Sequence, residues 1–383
     1  MGGIVWRELF PTKLTCLIFI FYMSLFISQG ILVTASQESN NSYSYNTVTV
    51  VLLTEVLKLV VSTGLYCREN TIDSLIKDIK RHSNVMMLYF VPAFLYCLYN
   101  NLAFVNLSTF DPTTYYLLLQ LRVVITGILF QIIFKKYLTK RQWISLIILT
   151  VGCMLKQFNF NISSPFNSNS PHNTTIPSTN LNSEESSSII SRKNITGFDL
   201  SISAVWILVQ TICSCLAGVY NEYLLKDKGA EVNIFVQNVF MYFDSIACNA
   251  AILILRGELL DAFTLTNIQS VFRFSVIAII INNAAIGIVT SFFLKYMNSI
   301  LKTFASALEL LFTAVLCYFL FAIPIYINTA LAIAVVSFAI YLYSQSPVVN
   351  LGKVVRQQGS LEANSMASRK LLDSDTELEM EAV

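Results

Sequence analysis

A chain of 383 residues that is 55% hydrophobic and only 13% charged, with a mean hydropathy of +0.62, does not read as a soluble globular protein, where about 25% of residues are charged. The net charge of +2 gives no footprint for nucleic acid, because the basic residues are divided among short segments. Two histidines, His82 and His172, and the lack of a Walker A sequence argue against a histidine-based catalytic or metal centre and against an ATP-driven motor.

Ten apolar runs are long enough to span a bilayer: Lys13–Val33, Thr47–Cys67, Asn84–Leu107, Thr113–Phe134, Gln142–Phe158, Asp199–Leu224, Asn233–Leu255, Arg273–Tyr296, Ile300–Phe321 and Ile327–Gln345. Each falls near the 17–25 residues that a spanning helix needs. The predicted fold class is therefore all-α and polytopic. The first run is long and lacks a small-residue cleavage site, so it reads as a helix and not as a cleaved signal. The eight cysteines lie in or beside these runs and read as small packing residues rather than a disulfide framework.

In the second run, Glu55 and Lys58 stand three apart and share a helix face. They form a self-neutralising pair at the edge of a cavity. In the fourth run, Tyr115 and Arg122 stand seven apart. On a continuous helix that puts an aromatic ring and a guanidinium on one stripe, a combination that suits a nucleotide. Packing, or anchoring at the membrane interface, is the more ordinary role for such an aromatic.

Arg122 lies in the middle of its run and Lys302 near the start of another. A cation in mid-membrane costs about 3 kcal/mol even on lenient insertion scales, so it faces a cavity or a partner. Asp244 and Glu309 are the intramembrane acids available as counter-ions. Arg122 follows the pair Asn100-Asn101 by 21 residues and Lys302 follows Asn282-Asn283 by 19. Matching oddities in two halves predict an internal repeat with the site between the halves. Two fixed positive charges there suit an anionic solute such as a phosphate ester. Asn238 with Tyr242, and Thr290 with Ser291, add polar stripes in the seventh and eighth runs.

The basic residues set the orientation. Arg68 to Arg81, Lys135 to Arg141, Lys226 with Lys228, and the tail basics from Lys353 onward all fall on one side, which predicts cytosolic termini. The opposite side carries the acceptor sequences at Asn40, Asn161, Asn173 and Asn194, and a lumenal, glycosylated loop follows from both signals. The predicted organisation is a first transmembrane repeat over 1–158, a lumenal loop over 159–198, a second repeat over 199–345 and a disordered cytosolic tail over 346–383. Asp373-Ser-Asp375 in that tail has the form of a metal-diphosphate signature, but it reads as a solvated acidic run. No metal or other cofactor is expected.

Several of these segments resemble the nucleotide-sugar transporters of solute carrier family 35, closest to the A subfamily. The matching stretches are Thr54-Glu-Val-Leu-Lys-Leu59, Asn100-Asn-Leu-Ala-Phe-Val105, Leu119-Gln-Leu-Arg122, Leu138-Thr-Lys-Arg-Gln-Trp-Ile-Ser145, Ala217-Gly-Val-Tyr220 with Glu222, Val236-Gln-Asn-Val-Phe-Met-Tyr242, and Thr290-Ser291 through to Lys302. The resemblance implies a ten-helix drug/metabolite-transporter fold of two inverted five-helix repeats. It implies exchange of a cytosolic UDP-sugar for UMP at the Golgi or endoplasmic-reticulum membrane by alternating access, with no enzymatic step. Arg122 and Lys302 would contact phosphate. Tyr115, Asn238, Tyr242, Thr290 and Ser291 would contact other parts of the substrate, and Glu55 and Lys58 would face the cavity. Beyond substrate and lipid, the expected partners are copies of itself or related transporters.

Departures cluster around the cavity. Arg122 stands where the subfamily has lysine, Tyr99 and Tyr116 where it has glutamine, and Leu119 where it has tyrosine. Ile286, Val289 and Asn298 replace glycine, tyrosine and aspartate. They leave a second class open, a non-transporting scaffold that gathers related transporters or glycosyltransferases.

Overall fold

Among the described residues of the computed structural model, each of the ten apolar runs contains a helix, in the order read from the sequence, with one short helix added between the second and third. The helices are α1 (Lys13–Ser36), α2 (Thr47–Cys67), α3 (Ile72–Arg81), α4 (Ser83–Thr109), α5 (Arg122–Phe134), α6 (Lys140–Gln157), α7 (Gly197–Tyr223), α8 (Ile234–Arg256), α9 (Phe274–Tyr296), α10 (Ser299–Phe321) and α11 (Ile327–Ser344). The structure describes residues 12–36, 47–109, 118–157, 197–257, 271–321 and 327–350, together with Phe10, Tyr115, Thr264 and Gln269. Asn40, Asn161, Asn173 and Asn194, Asp373-Ser-Asp375 and the tail from 351 lie outside the described residues.

Among the described residues, seven helices are both long and apolar enough to cross a membrane: α1, α2, α4, α8, α9, α10 and α11. The other three predicted spans fall short for separate reasons. α6 carries Lys140, Arg141 and Lys156 among its 18 residues. α7 carries the polar residues Asn221 and Glu222 in its last turn. α5 has 13 residues because regular helix begins only at Arg122, after a turn at Gln120 and Leu121. There Leu121 N–H donates to Leu118 C=O (3.1 Å) and Val123 N–H to Gln120 C=O (3.2 Å). These three-residue reaches tighten the chain, as in a 3₁₀ turn.

α3 differs from the spans in kind. It is strongly amphipathic and buries Leu75. Thr71 caps it by accepting from Ser74 N–H (3.3 Å), Asp73 lies in its first turn, and Lys80 and Arg81 lie in its last. All of these complement the helix dipole. Tyr66 at the end of α2 donates to Asp78 (2.5 Å) and holds α3 against the bundle.

The packing repeats when the halves are exchanged. α4 lies on α7, and α9 on α1. α2 meets α8, α6 meets α11 and α5 meets α10, each the counterpart of the other. Polar clamps join the α4–α7 and α9–α1 pairs. Asn106 of α4 donates to Gln210 of α7 (2.7 Å), and Asn282 of α9 donates to Leu25 C=O (3.1 Å) and Gln29 Oε1 (3.2 Å) of α1. Where α6 crosses α11 the backbones come close. A Cβ at Gly152 would lie 2.8 Å from Val336 Cγ2, the small-residue contact typical of membrane helices.

The main core joins α1, α5, α6, α9, α10 and α11 through Tyr22, Phe130, Leu149, Phe293, Phe304 and Tyr343. Phe304 and Tyr343 stack with centroids 4.2 Å apart. Large apolar side chains such as Leu17, Ile132, Phe274 and Phe319 point outward, as expected where the surroundings are lipid. The segment after α11 departs from the sequence expectation. Residues 346–350, assigned to a disordered tail, are tied to the bundle: Gln142 donates to Ser346 C=O (2.9 Å), and Lys136 to Val349 C=O (3.1 Å) and Asn350 Oδ1 (2.9 Å).

Candidate substrate cavity

α2, α4, α7, α8, α9 and α10 enclose a polar cavity of about 270 Å³ in the middle of the bundle. Its acid–base pair comes from α2. Lys58 Nζ lies 2.7 Å from Glu55 Oε1, with both side chains about one-seventh exposed. The spacing of three supplies the contact, and pairing offsets much of the cost of burying either charge. The ammonium also lies 5.5 Å from the ring centroid of Tyr242 on α8, within cation–π range. Gly287 on α9 completes the seat. A Cβ there would lie 2.7 Å from Lys58 Cε and 2.9 Å from Cδ, so the lysine stem lies against bare backbone.

Thr290 and Ser291 lie on the same face of α9, one turn further on, and line the cavity. Ser291 also donates to Gly287 C=O (3.3 Å), the local backbone bond common for serine in membrane helices. Lys302 enters the cavity from the first turns of α10. No salt bridge holds it or Arg122 among the described residues, where the ion pairs are Glu55–Lys58 and Glu222–Lys226. Asp244, considered as a counter-ion, is buried with one carboxylate oxygen unpaired.

The remaining predicted residues lie outside the cavity lining. Arg122 is the first residue of α5. Its carbonyl accepts from Thr126 Oγ1 (2.7 Å) and from Cys215 Sγ on α7 (3.3 Å). Its charge is near enough to Lys302 for the two to repel each other. Asn238 is buried one turn before Tyr242, with its amide nitrogen unpaired among the described residues. Tyr115 is buried against Leu119 and Ile207, and its hydroxyl accepts from Gln210 (2.8 Å), the residue that also receives Asn106. Because the helix is interrupted at Gln120 and Leu121, Tyr115 and Arg122 do not share one continuous helical stripe.

Sequence reasoning missed part of the wall. Tyr96 and Asn100 of α4, Asn221 of α7, and Ser245 and Asn249 of α8 also line the cavity. Asn249 accepts from Cys97 Sγ (3.4 Å) and donates to Ser245 C=O (2.8 Å). The available signal was the presence of amides inside apolar runs, one of which, Asn100, had been named only as a marker of the repeat.

A polytopic helical bundle enclosing a polar, lysine-bearing cavity within its transmembrane body is the architecture of a membrane transporter. The chain belongs to the nucleotide-sugar transporter family: the family model described as "Nucleotide-sugar transporter" matches residues 10–344. It is 71% identical over 376 residues to the UDP-galactose transporter senju of Drosophila melanogaster, covering 97% of each chain. It is 28% identical over 328 residues to CMP-sialic acid transporter 1 of Oryza sativa subsp. japonica, covering 82% of this chain and 89% of that one. One solved crystal structure matches with a TM-score of 0.56 over 88% of this chain and 97% of its own, at 12% identity. That likeness concerns the fold alone. The family is one of transporters and not of enzymes.

Proposed function

We propose that the protein is an antiporter that carries a UDP-sugar from the cytosol into the Golgi lumen in exchange for UMP. The observation that carries this reading is Lys302, a cation in a mid-bundle cavity with no salt bridge among the described residues. An unpaired buried cation is costly, and a phosphate of the substrate would supply the missing anion. The 71% identity to a protein named as a UDP-galactose transporter makes UDP-galactose the first substrate to test. Tyr242, Thr290 and Ser291 supply the neighbouring polar contacts, and Asn238 lies one turn from Tyr242, behind that wall.

A UDP-sugar and UMP each carry about two negative charges near neutral pH, since a phosphate's second pKa is near 6. One-for-one exchange is then nearly electroneutral. Reorienting an empty cavity would move unpaired cations through a low-dielectric barrier, which favours obligate exchange. In this reading the halves 1–158 and 199–345 alternate access around the cavity, both termini face the cytosol, and at least one of Asn161, Asn173 and Asn194 carries a lumenal glycan.

Counterflow in proteoliposomes tests the function. UMP-loaded vesicles should take up UDP-galactose much faster than empty ones, with weak dependence on membrane potential. Equal uptake into empty and loaded vesicles, or preference for a CMP- or GDP-linked sugar, would overturn the reading. A C-terminal epitope accessible only after internal membranes are permeabilised would overturn the topology.

A further inference from the structure

Lys302 stands one turn inside α10, and the start of that helix is gripped from two directions. Glu222, fully buried at the end of α7, accepts from Ser299 N–H through Oε2 (2.7 Å). Through Oε1 it accepts from Lys226 Nζ (2.9 Å) and from Asn350 Nδ2 (2.7 Å). Lys226, on the π turn Leu224–Lys228, also donates to Met297 C=O. Asn298 caps the same turn: its Oδ1 accepts from Leu301 N–H (2.7 Å) and its carbonyl from Lys302 N–H (3.1 Å). Its own amide donates to Val348 C=O (2.7 Å). The segment 346–350 therefore closes over the Met297–Ser299 corner from one side, while Glu222 and Lys226 hold it from the other.

These contacts do more than end a helix. A carboxylate at a helix N-terminus complements the dipole, and Asn298 alone already caps this one. Glu222 adds a buried anion with three donors, one of which comes from a chain segment far away in sequence. The arrangement ties the axial position of α10, and with it the Lys302 side chain, to α7 and to the segment after α11. Among the described residues the start of α5 shows no buried carboxylate of this kind, and Leu121, which precedes it, makes no side-chain capping bond.

We propose that Glu222 and Asn350 are positioning residues for Lys302. The carboxylate fixes the start of α10, the 346–350 segment locks the carboxylate, and substrate affinity depends on both although neither touches the substrate. The proposal rests on the anion-site reading of Lys302 given above.

The test uses the full-length purified protein. Half-saturation by UMP is read from ligand-dependent thermal stabilisation, and KM and maximal rate from UDP-galactose counterflow. The variants are Asn350→Ala, the charge-free pair Glu222→Gln with Lys226→Met, Lys302→Ala, and Lys302→Ala with Asn350→Ala. The first two should raise UMP half-saturation and KM by about fivefold or more while maximal rate stays within about twofold. In the Lys302→Ala background, removing Asn350 should add nothing, because coupled residues are non-additive. Wild-type half-saturation in both Asn350→Ala and the charge-free pair, whatever their melting temperatures, would overturn the proposal. So would a full additional loss in the Lys302→Ala background. Wild-type UMP binding by Lys302→Ala alone would instead overturn the anion-site reading.

Discussion

α5 and α10 occupy matching places in the two halves, packed on each other and each on the first helix of the opposite half. Each carries a cation near its start, yet the two are used differently. α10 is an unbroken helix of 23 residues, its first turn held by Glu222 and Asn298, and its lysine lines the cavity. α5 has 13 residues and begins on Arg122, just after the tight turn at Gln120 and Leu121. Arg122 stands at the positive end of the α5 dipole and is not part of the cavity lining. Each cation thus stands within the first turn or so of its helix. Only Lys302 is part of the cavity wall; in the proposed reading it meets the substrate and Arg122 acts on it from a distance.

Removing each cation in turn tests that division most directly. Lys302→Ala should cost about 2–5 kcal/mol of substrate affinity, the usual loss for a desolvated charge-assisted partner. That abolishes uptake at substrate concentrations near the wild-type KM while the protein still reaches its membrane. Arg122→Ala removes a charge acting across a greater distance and should cost about 2 kcal/mol at an effective dielectric constant near 20. Arg122→Lys keeps the charge and should transport close to wild type. Counterflow KM measurements on correctly localised protein check all three. A larger loss at Arg122 than at Lys302 would reverse the comparison.

The helical framework was legible in the sequence because each span is a continuous apolar run, and hydropathy needs no tertiary information. Glu55 with Lys58, and Thr290 with Ser291, were legible for a related reason: both pairs lie within one regular helix, where spacing alone fixes the shared face. Reasoning from period failed where the helix is not regular. Tyr115 and Arg122 fit a two-turn stripe only if the chain stays helical through Gln120 and Leu121, and the turn there leaves no mark in residue spacing. The clamp on α10 was hidden for the opposite reason. Glu222, Asn298 and Asn350 are far apart in sequence, and residues 346–350 have no periodicity to mark them as packed. Asn100, Asn221 and Asn249 each gave a local signal, an amide in an apolar run, but not which face of its helix looked inward.

Across the interface between the halves, Lys58 of α2 rests against the backbone of α9 at Gly287. Alanine there would place a methyl 2.7 Å from Lys58 Cε, closer than real contacts allow. The flexible lysine can move aside, so the fold should tolerate the change at a cost of about 1 kcal/mol, the low end for overpacking. The expected functional effect is a several-fold rise in KM, because the ammonium leaves the ring of Tyr242. Gly287→Ala combined with Lys58→Met should lose most of that sensitivity. An undiminished KM effect of Gly287→Ala in the Lys58→Met background would mean that α9 acts on the substrate without the acid–base pair.

The smallest expected effect comes from Tyr115, and it separates a ring that meets the nucleotide from one that holds two helices together. Its hydroxyl accepts from Gln210, and Gln210 in turn receives Asn106, so the three residues link α4, α7 and the approach to α5. Tyr115→Phe keeps the ring and removes one acceptor, leaving a buried amide N–H of Gln210 short of a partner. The net worth of such a bond is about 1 kcal/mol, equivalent to roughly 2 °C in melting temperature for a chain of this size. Substrate KM should stay within about twofold of wild type, because the ring is enclosed by Leu119 and Ile207 and is absent from the cavity wall. Tyr115→Leu should lower the melting temperature further and still leave KM near wild type. A tenfold rise in KM without a drop in melting temperature would place the aromatic ring against the bound nucleotide and transfer part of the recognition from the second half of the bundle to the first.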